Sequence, residues 1–181
     1  GIAWAELFGK FRIRLPQPGF HTALNLLATG TMLETLGFSW EKIAPALEQL
    51  HGVWRRFDPA GRMRRTQARV FDDYAHNPEK ICCVIRAAQE LTGTAGRVVT
   101  IFQPHGYGPF GFMRDELYHQ LRETLRREDA FWLLEPFYAG GTSSFSPKSA
   151  EVAADWLERG GLPGLHHPAS RRAAEQRLCD M

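Results

Sequence analysis

Three apolar runs, each ending in polar residues and each followed by a helical pattern, constrain this 181-residue chain most. They are "ARVFDD" up to Asp73, "RVVTIF" from Arg97 to Phe102 and "AFWLLE" from Ala130 to Glu135. The unbroken β-branched content of the second is that of a strand buried on both faces. After the first run, Asn77 and Pro78 supply an N-cap and a first helical residue. Ile81, Val84, Ala88 and Leu91 then recur at helical spacing. Met113, Leu117, Leu121 and Leu125 mark a helix after the second run, beyond a loop "QPHGYGPFG". Val152, Ala153, Trp156 and Leu157, stopped at Gly160, mark one after the third, and a last short helix spans Ser170 to Cys179. Alternation of this kind predicts an α/β fold, a Rossmann-like, mostly parallel sheet with helices on both faces.

The first part of the chain reads differently. Phe11, Ile13 and Leu15 alternate with Arg12 and Arg14, a half-buried strand broken by "PQPG". Leu24, Leu27, Ala28, Met32 and Leu36 form one helical stripe closed by Gly37. Ser39 is placed to cap a second helix carrying Ile43, Leu47 and Leu50, kinked at Pro45. "DPAG" from Asp58 reads as a turn between two strands. The change of pattern puts a boundary at Arg56–Ala60: residues 1–56 are a helical lead-in, residues 57–181 an α/β unit.

Composition narrows the function. With 44% hydrophobic residues, 23% charged residues and a net charge of +2, the chain can fill a core but has no basic excess for nucleic acid or a membrane surface. No apolar run approaches the roughly 20 residues that cross a bilayer, and the start lacks a signal-peptide layout. Cys82, Cys83 and Cys179 form neither a disulfide framework nor a zinc spacing, which suits buried thiols in a reducing cytoplasm. The adjacent His166 and His167 do not by themselves make a metal site.

In an open parallel sheet, ligands bind beyond the carboxyl ends of the strands. The first strand end delivers Asp72, Asp73, Tyr74 and His76. The second delivers Gln103, His105 and Tyr107 among glycines, and the third Glu135, Tyr138, Gly140, Gly141 and Thr142. Asp73 suits a ribose diol, or else the dipole of the next helix. His76 can bond a substrate or stack on a base, or simply begin the helix. His105, when protonated, can hold a carboxylate or phosphate. Arg55 and Arg56 precede a turn, as a bidentate phosphate grip or a solvated pair. The sequence contains no phosphate loop G-x-x-x-x-G-K-[ST] and no nucleophile elbow, and "HGYGPFG", glycine-rich but interrupted by proline, is not read as a dinucleotide-binding turn.

Four stretches in order resemble the Mur ligases, the ATP-dependent ligases of peptidoglycan precursor synthesis. "PGFHTALNLLATGTMLETLGF" resembles their PG-x-H-N-x-x-N-x-x-A-A helix, and "GVWRRFD" their G-V-x-R-R-F stretch. "DDYAHNPEKI" is similar to D-D-Y-(A/G)-H-x-P, and "FQPHGYGP" resembles the F-Q-P-H-R-Y of the UDP-N-acetylmuramate–L-alanine ligase branch. The resemblance implies a cytoplasmic three-domain enzyme, in which residues 1–56 end the central domain and residues 57–181 form the carboxy-terminal domain. The phosphate loop and the UDP-sugar site belong to the other domains, so residues 1–181 alone are expected to be inactive. The implied reaction phosphorylates a carboxylate of UDP-N-acetylmuramate with ATP, and the amine of an amino acid or peptide then attacks the acyl phosphate.

By the same resemblance Asn25 contacts the adenine, Arg56 the ATP phosphates and Asp73 the ribose. His76 lies near the nucleotide, and His105, with Tyr107 beside it, near the incoming amine. Mg²⁺ is implied only through ATP. These side chains are expected to share one cleft. The sequence departs from the pattern at Thr22, where the family has Asn, at Gly106, where it has Arg, and at "GPFGF". The family also continues with a strand and helix past the point matched by Met181. The departures keep open a tripeptide-adding recycling ligase and a nucleotide-binding module without ligation.

Overall fold

The computed structural model describes residues 3–138, 140 and 144–180. A hairpin comes first: β1 (Trp4–Leu7) pairs antiparallel with β2 (Phe11–Arg14). Ile13 is buried between the exposed Arg12 and Arg14, as alternation requires. β1 escapes sequence reading because its outward residue is itself apolar. Trp4 faces water under the Arg12 guanidinium, 4.8 Å from the ring centre, and this hides the inward Ala5–Leu7 pattern.

Two helices follow, α1 (Phe20–Thr35) and α2 (Trp40–Glu48). Of the expected stripe of α1, Leu27 packs against the core while Leu24, Ala28, Met32 and Leu36 are exposed. The helix buries Thr22, Leu26 and Gly30, while Met32 and Leu36 are 68% and 70% exposed. Gly30 explains the rotation: a Cβ there would lie 2.2 Å from the Trp40 ring, so the bare backbone is the seat of that indole. Pro45 stands inside α2 without ending it, and Ser39 occupies the N-cap position with no side-chain cap bond. Leu7, Ile13, Leu26, Trp40, Ile43 and Leu47 make a core of their own.

The next pair, β3 (Asp58–Arg62) and β4 (Arg69–Asp72), is antiparallel. Two local readings change here. The stretch "DPAG" lies within β3, where Pro59 pairs with Phe71 and Gly61 with Val70, and the bulge between them takes up Ala60. β4 is not a buried parallel strand: it pairs with β3, and Val70 is 40% exposed.

The remainder alternates as expected: α3 (Pro78–Thr92), β5 (Val99–Phe102), α4 (Tyr107–Thr124), β6 (Ala130–Leu133), α5 (Ser149–Glu158) and α6 (Arg171–Asp180). The Asn77 side chain caps α3 by accepting from the Lys80 N–H at 2.9 Å. α4 begins within the segment expected as loop. Gly106 adopts φ 98° before it, and Pro109 falls in the first turn, where no intrahelical N–H is needed. β5 and β6 run parallel from Val99↔Ala130 to Phe102↔Leu133, and bridges at His105↔Phe137 and Trp132↔His166 extend the sheet.

Alternation along β6 explains why both faces of this sheet are covered. Phe131 and Leu133 enter the main core with Ile81, Ile85, Phe110, Leu117, Leu121 and Trp156, from α3, α4 and α5. Trp132 and Leu134 point the other way, onto Ala174 and Leu178 of α6. Losing one of these large buried side chains costs about 3–5 kcal/mol. Leu157, expected inside, is 59% exposed. Cys82 is buried, which pushes its thiol pKa up; Cys83 is half-buried and Cys179 exposed. The outer edge of β5 faces an apolar groove of about 480 Å³ whose far side is β4. No helix among the described residues is long and apolar enough to cross a membrane.

Candidate functional site

The chain turns from the first core to the α/β unit through Val53–Phe57. Arg55 and Phe57 both take left-handed backbone, φ 54° and 49°, a conformation that non-glycine residues adopt only when held. Phe57 is held by burial and by its ring on Phe71, 4.4 Å between centres. Its N–H donates to Asp73 Oδ2 at 2.7 Å, and the Arg55 carbonyl accepts from the Tyr74 N–H at 2.9 Å. The end of β4 is thus bound to the lobe junction.

Asp73 also accepts from the Ala75 N–H at 2.7 Å, through Oδ1. These two bonds use about half of the four lone-pair sites of a carboxylate, which leaves acceptors for a diol. The neighbouring acid is engaged by a side chain instead, since Asp72 Oδ2 accepts from Arg55 Nε at 3.0 Å. Arg55 also lies over Tyr74, 5.0 Å from the ring centre, and Arg56 approaches the same ring at 5.9 Å. Among the described residues, Arg56 forms no salt bridge with a carboxylate. His76 completes the group, its ring 5.5 Å from that of Tyr74 and its Nδ1 3.0 Å from the Tyr74 carbonyl oxygen. Arg56, Asp73 and His76, three of the residues expected from sequence, therefore gather around Tyr74.

His105 and Tyr107 stand in a second cluster, at the carboxyl ends of β5 and β6. His105 is exposed, with its ring 5.7 Å from Phe137. Tyr107 is buried, and its hydroxyl donates to Glu135 Oε1 at 3.2 Å. Burial and that carboxylate both raise the Tyr107 pKa. Glu135 Oε2 accepts in addition from the Ser149 N–H and hydroxyl at 3.1 and 2.7 Å, at the start of α5. The Gln103 amide donates to the Glu135 carbonyl, and Arg171 Nη2 donates to Gln103 Oε1 at 2.7 Å. Tyr107 and Glu135 thus brace the loop that presents His105. Gly141 and Thr142 lie outside the described residues.

Asn25 is exposed on α1, where its carbonyl accepts from the Thr29 hydroxyl at 2.9 Å. No contact among the described residues joins it to Asp73 or to His105. The groove between β4 and β5 has Asp73 at its wall and none of the other expected site residues. Sequence reasoning missed the Asp72–Arg55 pair, although the adjacent doublets "RR" and "DD" are its signal. It missed the bracing role of Glu135, which has no local signal. No group of three or more His, Cys, Asp or Glu among the described residues is arranged to hold a metal.

The end of β4 thus carries an acid, an aromatic and a histidine, and is tied to the arginine pair that precedes β3. Residues 55–181 match the family described as Mur ligase, glutamate ligase domain, and the chain belongs to that family. It is 34% identical over 161 residues to the UDP-N-acetylmuramate–L-alanine ligase of Rhizobium meliloti (strain 1021), covering 89% of this chain and 32% of that protein. The crystal structure of the UDP-N-acetylmuramate–alanine ligase from Thermotoga maritima superposes with a TM-score of 0.61 at 28% identity, over 87% of this chain and 31% of that one. A murein peptide ligase from Psychrobacter arcticus shares the fold at TM-score 0.61 and 19% identity, over 93% of this chain and 33% of that one. The chain thus spans about a third of the length of the relatives it matches.

Proposed function

We propose that residues 1–181 are the carboxy-terminal part of an ATP-dependent amide ligase that joins an amino acid or peptide to UDP-N-acetylmuramate through an acyl phosphate, in peptidoglycan precursor synthesis or recycling. The observation that carries this reading is the cluster at the lobe junction. The Arg56 guanidinium, beside the Tyr74 ring and without a carboxylate partner among the described residues, stands with the Asp73 carboxylate and the His76 ring where the α/β unit meets the preceding lobe.

Arg56 takes the charge of the ATP phosphates, Asp73 accepts the ribose diol, and His76 lies against the nucleotide. Asn25 contacts the adenine from α1. His105, on the loop braced by Tyr107 and Glu135, receives the incoming amine. The chain contributes mainly by placing phosphate and amine in line and by setting positive charge where negative charge develops. Mg²⁺ enters with the ATP phosphates. The boundary between the lobes lies at Arg56–Phe57. The phosphate loop and the sugar site reside in the rest of the ligase, and residues 1–181 alone do not catalyse.

Phosphate release by the whole ligase, measured with UDP-N-acetylmuramate and a panel of amino acids and peptides, tests this. Release that needs one acceptor and forms an amide supports it. L-alanine as the acceptor selects the amino-acid-adding enzyme, and a tripeptide the recycling enzyme. ATP binding without turnover over the whole panel makes the domain a nucleotide-binding module.

A further inference from the structure

The segment that carries Arg56 is held from both sides. From the first lobe, the Gln17 side-chain amide donates to the Arg56 carbonyl and, at 3.4 Å, to the Val53 carbonyl. Gly52 makes room for it, since a Cβ at Gly52 would lie 2.5 Å from Gln17 Nε2. From the α/β unit, Asp72 holds the Arg55 side chain, the Tyr74 N–H holds the Arg55 carbonyl, and Asp73 holds the Phe57 N–H. Left-handed backbone on both sides of Arg56 sets the direction in which its side chain leaves the chain. The Tyr74 ring then lies beside both guanidiniums. Of two adjacent arginines, Arg55 is paired with a carboxylate and Arg56, among the described residues, is not.

We propose that Gln17, Asp72 and Tyr74 are positioning residues that clamp Val53–Phe57 from the two lobes and hold the Arg56 guanidinium where it meets the nucleotide phosphates. The proposal rests on Arg56 being the phosphate ligand. It also accounts for a carboxylate close to an anion site. Asp72 repels phosphate unless its charge is matched, and Arg55 matches it.

This gives the Asp72→Asn variant a diagnostic sign. By charge alone it removes a negative group and frees Arg55, so ATP should bind more tightly. By positioning it loosens Arg56, and ATP should bind more weakly. The experiment is calorimetric titration of a non-hydrolysable ATP analogue into the whole ligase, with KM for ATP and kcat measured alongside. Arg56→Ala should weaken binding by about 10–100-fold, the range for a hydrogen bond to a charged group. Asp72→Asn and Gln17→Ala should each raise the analogue Kd and KM for ATP by about 3–10-fold with kcat little changed, as a misplaced binding group does. In the Arg56→Ala background Asp72→Asn should no longer weaken binding, because its weakening acts through Arg56.

Tighter or unchanged binding by Asp72→Asn, or full additivity with Arg56→Ala, overturns the clamp and leaves the phosphate ligand in place. Unchanged binding by Arg56→Ala overturns the site reading and the clamp together. A purely structural Asp72 would lower the melting temperature and leave KM for ATP alone, so thermal unfolding of each variant completes the set. If Gln17→Ala does not fold, Asp72→Asn, the same size as the native residue, decides the matter.

Discussion

Two aspartates at opposite ends of the α/β unit show how one side chain serves two purposes. Asp129 sits just before β6, 2% exposed, and accepts from the Val98 N–H, Gln89 Nε2, and the N–H, Nε and Nη2 of Arg126, at 2.7–3.1 Å. Arg126 spends its other donors on the Gly93 and Gly96 carbonyls and the Thr92 hydroxyl. Asp73, beyond β4, accepts from two backbone N–H groups and is half-buried, and the nearby Arg56 has no carboxylate partner among the described residues. The first end is saturated and joins α3, β5 and β6. The second keeps acceptors and a cation in reserve, on backbone strained at Arg55 and Phe57. A saturated network holds a fold; an unsaturated one can hold a ligand.

The largest effect that could break this contrast belongs to Asp129→Ala. It strands Arg126 and several N–H donors in a closed site, and urea unfolding should show a loss of about 3–5 kcal/mol. Nucleotide affinity of the folded variant should stay unchanged. A loss below about 1 kcal/mol would remove Asp129 as the fastening of that end.

Acid sharpens the same point. Burial pushes the Asp129 pKa up, but the Arg126 side chain, the Val98 N–H, Gln89 and the Arg126 N–H outweigh it and lower the value to about 2. A depressed folded pKa stabilises above the unfolded value, near 3.9, and that stability disappears as pH falls through the folded one. About 2 kcal/mol should therefore be lost between about pH 4 and pH 2. In Asp129→Asn that part of the slope should be missing from a denaturation series over the same range.

At the other end the effects are smaller on stability and larger on binding. Asp73→Ala removes two hydrogen bonds to N–H groups at the junction, worth about 1–2 kcal/mol of unfolding free energy. It should weaken ATP binding to the whole ligase about tenfold or more, the loss expected when hydrogen bonds to a charged acceptor are removed. Equal nucleotide affinity with normal melting would reduce Asp73 to a linker tie. His105→Ala should raise KM for the acceptor several-fold and leave ATP binding and melting nearly unchanged, read from initial rates and calorimetry.

How legible each part was follows from what announces itself locally. The α3 cap at Asn77–Pro78 and the buried stripe Met113–Leu117–Leu121 are local patterns, and the structure has them; the run Val99–Phe102 is a strand too, but among the described residues it pairs only with β6 and leaves Ile101 40% exposed, so it is not the central buried strand expected. The facing of α1 depended on a distant partner: Gly30 and Thr22 count as core only because Trp40 packs there. β3 hid behind Pro59 and Gly61, residues that normally break strands and here sit at a bulge. Of the proposed site residues, Asp73 and His76 stand out in the sequence because a strand end and a helix start frame them, whereas Arg56 is separated from Arg55 only by the family resemblance. Gln17 was not, because its role is a contact across 39 residues.

The most direct measurement is a crystal structure of the whole ligase with ADP. The ribose hydroxyls should lie within about 3 Å of the Asp73 carboxylate, with Arg56 within hydrogen-bonding reach of phosphate oxygens and Arg55 still on Asp72. A nucleotide bound away from Asp73 and Arg56, with both side chains as they are here, would contradict the assignment of this junction as the nucleotide site.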